Sequence, residues 1–321
     1  MKQSLVLFAI FLFTCFISGI LSSSAMGPEG EVRRPTRPEK VLAMQLSTGK
    51  LLQRAVQDEN SGRLSQAIRK YRQLTRRSVS LKREEVPKIY FRLAKLLQRA
   101  KRLQQAFNVY QTLIKRYPAA KYFNASIAEQ TRIANFYLEK PDGILTGSLN
   151  SNAEIAQRMY ERILISAPFC DYAPLVQFNL CLAHERQGHV RDALRSYQTL
   201  FEKYPDSKLA IHAQYQVACI HMHVGLSKSS QDFSALSKAK DAFQDYLSKY
   251  PKTRYQAEIL KNIEKINAKA SSKIYRIAKY YDHRQDYQSA CIYYNEVLRY
   301  RPPISMEAVL AKRRIEVIRS R

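Results

Sequence analysis

Leu103-Gln-Gln-Ala106-Phe-Asn-Val-Tyr110-Gln-Thr-Leu113-Ile114-Lys-Arg-Tyr117-Pro118 is the stretch whose reading decides the fold. Residues i and i+4 share a helix face, so Ala106 and Tyr110 lie in one seam. The small Ala lets a neighbouring helix approach, and the ring fills the space beyond it. Pro118, eight past the ring, disfavours α geometry in the residue before it and so ends the helix. The same spacing recurs at Ala156/Tyr160/Pro168, Ala193/Tyr197/Pro205, Ala239/Phe243/Pro251 and Ala290/Tyr294/Pro302, and Ala67/Tyr71 opens the series without a proline. Copies 37 to 51 residues apart predict stacked helical hairpins, each burying its apolar face against the next.

Outward from that stretch the pattern stays helical. Ile89, Leu93, Leu96 and Leu97 line the first helix of the same hairpin, and Asn60-Ser61-Gly62 and Gln187-Gly188-His189 read as turns between helices. Pro141 to Asn152 and Gly225 to Leu236 read as insertions, and a final basic helix runs from Met306 to Ile318. No β pattern of useful length occurs. The fold class is all-α, a solenoid of about six hairpins over residues 41–321, and an apolar content of 45% suffices for a continuous core.

The N-terminus reads differently. Met1-Lys2-Gln3, the apolar run Leu5 to Leu21 and Ser22-Ser23-Ser24-Ala25 make residues 1–25 an export signal. Three outcomes stay open: lipidation at Cys15 within the loose lipobox Leu12-Phe13-Thr14-Cys15, cleavage after Ala25, or an uncleaved anchor, short of the ~20 residues that span a bilayer. Each exports the rest of the chain. Residues 26–40, with Pro28, Pro35 and Pro38 among Gly and Arg, read as a linker.

The net charge of +26 is uneven: residues 31–120 carry 22 Lys and Arg against 6 Asp and Glu. Such a surface attracts anionic lipid, nucleic acid or acidic protein; solvated helix faces are the plainer reading, because the charges interleave with Leu at helical period. Chemistry is absent from the pattern. There is no C-x-x-C, no glycine-rich phosphate loop and no G-x-S-x-G elbow, and His221 and His223, two apart, lie on different helix faces. Cys181, Cys219 and Cys291 sit in apolar helical patterns as buried thiols, and the acidic residues lie mostly on charged helix faces. No catalytic residue, cofactor site or metal ligand is expected.

The Ala/aromatic/Pro positions resemble the signature of the tetratricopeptide repeat. A second resemblance lies in the C-terminal third: Tyr250-Pro251-Lys252-Thr253-Arg254-Tyr255, a long charged helix, Ile277-Ala278-Lys279-Tyr280-Tyr281, Tyr287 with Ala290, and Val297-Leu298 with Tyr300 and Pro302. That succession resembles the BamD family, lipoproteins of the outer-membrane β-barrel assembly machinery. The resemblance implies a non-enzymatic scaffold at the periplasmic face of the outer membrane, lipid-anchored if Cys15 is modified. Its implied partners are the periplasmic domains of the central barrel-assembly protein and unfolded outer-membrane clients, with no nucleic acid. Lys269 falls where the family carries a basic partner-contacting residue. Other envelope repeat proteins, such as a Tol-associated coordinator or a secretion chaperone, and a lipid- or nucleic-acid-binding surface are the alternatives.

Overall fold

The computed structural model describes residues 37–77, 81–141, 151–227, 234–299 and 305–320. Cys15, Ala25, Tyr300 and Pro302 lie outside them. Among the described residues all regular structure is helical. The chain divides into two compact units, Met1–Ser126 and Ile127–Arg321.

In the first unit α1 spans Arg37–Asn60 and pairs with α2, Leu64–Arg76. The helix runs from Arg37, four residues before Val41. Pro38 stands in its first turn, where the missing N–H costs no helical bond. The second hairpin pairs α3, Glu85–Arg99, with α4, Leu103–Arg116. Helix α5, Phe123–Glu139, contains the division between the units.

The second unit continues through α6, Asn152–Ser166, to two paired hairpins, α7 with α8 (Ala173–Arg186, Val190–Lys203) and α9 with α10 (Lys208–Leu226, Ser234–Lys249). It ends with α11, Gln256–His283, α12, Tyr287–Arg299, and α13, Met306–Arg319.

The described Ala and ring positions of the repeat share one environment. Ala67, Ala106, Ala156, Ala193, Ala239 and Ala290 are fully buried on the second helices, with Tyr71, Tyr110, Tyr160, Tyr197, Phe243 and Tyr294 beside them. α4, α6, α8 and α10 each end two residues before Pro118, Pro168, Pro205 and Pro251. The residue between is pulled out of α geometry, with φ/ψ of −135/59 at Tyr117, −148/64 at Ala167 and −136/53 at Tyr204.

A second regularity accompanies the first. Nine residues before the ring, each of four hairpin turns adopts a left-handed backbone: Gly62, Lys101, Gly188 and Gln285. Twelve residues before the ring stands an acceptor for its hydroxyl. Tyr71 donates to Glu59 at 2.6 Å, Tyr110 to Gln98 at 2.7 Å, Tyr294 to Asp282 at 3.0 Å, and Tyr197 to Glu185. Tyr160, after the longer α5–α6 connection, uses Asn135 at 2.7 Å. A buried phenol needs a partner, and the hairpin supplies one where its first helix ends. Glu59, Glu185 and Asp282 are accordingly only partly exposed.

Gly225 and Leu236, read as the ends of an insertion, belong to α9 and α10. A Cβ on Gly225 would lie 2.6 Å from the Leu236 side chain, so the missing side chain is what lets the two helices close. Cys181 is buried, whereas Cys219 and Cys291 are only partly covered; with Cys170 all are free thiols.

Candidate functional site

Helix α11 has 28 residues, about 42 Å at the standard rise. Its buried row begins with Ile259, Ile266 and Ala270, which enter one core with Tyr215, Leu236, Ala239, Phe243 and Tyr246. It continues with Ile274 and Ala278, which enter another with Ala290, Tyr294, Val297, Ala311 and Ile315. One uninterrupted helix therefore belongs to two cores.

The opposite side of α11 is basic. Lys261, Lys265, Lys269, Arg276 and Lys279 fall within about 80° of arc at 100° per residue. Lys269 is half-covered and the other four are exposed. Their spacing keeps them off the buried row and presents them as a ridge. Beside the apolar row lies an open groove of about 550 Å³, with Leu236, Ile266 and Ile274 among its walls and Lys240, Asp241 and Glu296 at its edges.

Helix α13 is fastened to this part of the unit at three points. Ala311 and Ile315 enter the second core, and Ser272 Oγ donates to Glu307 at 2.6 Å. Arg314 grips Asp282 with both ends of its fork, at 2.6 and 2.7 Å. Arg314 first, then the Tyr294 hydroxyl, hold the Asp282 carboxyl below its ordinary range. The remaining side of α13 leaves Met306, Val309, Leu310 and Val317 exposed, with Lys312 and Arg313 between them. From sequence this helix reads as merely basic; its i, i+3, i+4, i+11 apolar row is visible there but indistinguishable from a core-facing one.

The first unit concentrates charge separately. Arg69, Arg72 and Arg76, one row of α2, meet Arg102 around a groove of about 410 Å³ with Ile68 in its wall. Arg72 donates to Gln105 Oε1 at 2.7 Å. This cationic groove lies on α2, the second helix of its hairpin. Nearby negative charge is already committed: Asp58 to Arg63 and Lys70, Glu59 to Tyr71 and Arg92.

Against this geometry, the profile of the YfiO family, outer membrane lipoproteins, matches residues 147–314, slightly more than half of the chain. The chain belongs to the YfiO family. The match contains α11 and Lys269, and reaches well beyond the C-terminal residues that carried the resemblance to BamD, the same family. A tetratricopeptide-repeat profile matches residues 89–120, the second hairpin up to and past Pro118. No curated protein matches. Among solved structures, a tetratricopeptide repeat protein from Parabacteroides merdae aligns over 85% of this chain and 99% of its own, at 14% identity and a TM-score of 0.32. YrrB, described as a TPR protein with an unusual peptide-binding site, aligns over 70% of this chain and 91% of its own, also at 14% identity and a TM-score of 0.32.

Within this YfiO-family chain, no helix among the described residues is long and apolar enough to cross a membrane.

Proposed function

We propose that this chain is a non-enzymatic scaffold of outer-membrane β-barrel protein assembly, anchored through Cys15 at the periplasmic face of the outer membrane. The observation that carries the reading is the family match over residues 147–314, which includes the helix shared by two cores. A helix fixed at both ends presents its basic ridge, Lys269 included, without an ordering cost on binding. The ridge and the exposed row of α13 are the proposed contact for the periplasmic domains of the central assembly protein. The groove of Arg69, Arg72, Arg76 and Arg102 is proposed to receive the carboxylate end of an unfolded client, which a guanidinium fork holds in bidentate fashion.

Affinity purification from membranes tests the partner. Recovery of a large outer-membrane barrel protein with periplasmic repeats, lost on reversing Lys261, Lys265 and Lys269 to Glu, supports the scaffold; recovery of Tol proteins or nucleic acid refutes it. Client binding is tested with a fluorescent peptide ending in a free or an amidated carboxyl group. Binding that needs the free carboxylate and falls in an Arg72→Glu/Arg76→Glu chain supports the groove. Palmitate labelling that persists in Cys15→Ser refutes the anchor.

A further inference from the structure

The fourth hairpin holds a cluster that none of the preceding roles uses. His184 stands in the last turn of α7, His189 occupies the position just before α8, and Asp192 follows in the first turn. Gly188, with φ of +72°, reverses the chain between the two histidines. The reversal is tight, with the His189 amide donating to the His184 carbonyl at 3.0 Å. It brings one donor atom from each of the three side chains within 4.8 Å of the others.

His184 is 8% exposed, and its Nδ1 is buried without a hydrogen-bond partner. Buried polar atoms are almost always satisfied, so this one needs a ligand or a structural reason. His189 and Asp192 reach solvent on the same side, where a groove also bordered by Glu154, Arg158 and Gln187 gives access.

We propose that His184, His189 and Asp192 form a binding site for one divalent transition-metal ion, with zinc the best fit. Two imidazoles and a carboxylate suit zinc, which takes three protein ligands and leaves a fourth position for water. Calcium and magnesium require oxygen donors throughout, which this set lacks. Donors up to 4.8 Å apart close on a tetrahedral ion through small rotations, and two of the three are at the surface, where rotation is free. Burial holds His184 below the ordinary imidazole range, partly countered by Asp192 and Glu161. The neutral imidazole is the form that ligates a metal. Asp192 already pairs with Arg195, at 3.6 Å between exposed side chains, a weak interaction to displace. A bound ion would tie the end of α7 to the start of α8 across the turn.

The test uses the full chain, freed of metal by dialysis against chelator and titrated with zinc chloride by calorimetry at neutral pH. A parallel titration with cobalt reads coordination by visible absorption. The expected result is one high-affinity equivalent of zinc, tetrahedral cobalt bands, and a rise in Tm with zinc. His189→Gln and Asp192→Asn change solvent-facing side chains and leave the circular dichroism unchanged, yet each weakens zinc by at least about tenfold. His223→Gln, outside the cluster, binds as the parent does. Absence of zinc binding by the parent, or binding that persists in both His189→Gln and Asp192→Asn, overturns the site.

Discussion

Tyr197→Phe isolates the hydroxyl that closes the fourth hairpin. The ring is fully buried among Cys181, Ala193, Leu200, Ala213 and Ile220. Phe243 fills the equivalent seam one hairpin later, so the substituted ring fits and packing is unchanged. What is lost is the bond to Glu185. Burial raises the Glu185 carboxyl above its ordinary 4.5, and the Tyr197 hydroxyl and His223 act against that rise. Because the folded-state pKa lies above the unfolded one, the ionised carboxylate costs stability. That cost is absent below the unfolded value and grows as pH rises through the folded one.

Removing the hydroxyl withdraws a stabiliser of the ionised form, so the folded-state pKa moves further up and the loss with pH steepens. A hydrogen bond to a charged group is worth about 1.5–3 kcal/mol and one between neutral groups about 1 kcal/mol. The expected loss is therefore about 2 kcal/mol at pH 8 and about 1 kcal/mol at pH 4. At pH 8 this lowers Tm by about 4–8 °C for a unit of this size. Urea titration followed by circular dichroism, with a Tyr197→Phe/Glu185→Gln double-mutant cycle, measures both. An equal loss at the two pH values, or strict additivity in the cycle, would refute the argument.

Three further outcomes follow from the same hairpins. Gly225→Val should cost about 1–3 kcal/mol, because its side chain meets Leu236 where α9 and α10 close; Gly49→Val, with open space around it, serves as the control in the same melt. Lys101→Gly and Gln285→Gly should each stabilise by up to about 1 kcal/mol, since a left-handed residue with a Cβ gives way to one without it; a lower Tm in both would show that the turns carry no strain. Asp282→Asn or Arg314→Ala should loosen α13, read as faster amide exchange in Met306–Arg319. In the parent, the Asp282 carboxyl is depressed, so its contribution is present above the unfolded pKa and is lost as pH falls through the folded one. Exchange in α13 that is unchanged both on acidification and in the variants would separate the helix from this ion pair.

How much was legible varied with how local the cause was. The ring, its alanine and its proline interact within one helix, so their spacing was readable directly. The acceptor twelve residues before four of the rings is equally regular in the sequence: Glu59, Gln98, Glu185 and Asp282. Its role is not legible there because carboxylates usually face water, and only the return of the chain at the left-handed turn brings them under a phenol. Lys269 was placed on α11 by resemblance, and the structure adds four other cations on its face. The groove of Arg69, Arg72, Arg76 and Arg102 joins α2 to a residue 26 positions beyond Arg76, a distance that no helical period spans.

By itself, then, the sequence determined the all-α repeat architecture, the positions of the buried rings and the ends of most helices. Those follow from i to i+4 geometry and the backbone limits of proline and glycine, which act over a few residues. Tertiary structure decided which polar groups are buried and paired, which apolar row of α13 stays outside, and which cations share a groove. These depend on which surfaces meet when hairpins pack, and the pattern within one helix is the same whether its face ends against a neighbour or in water.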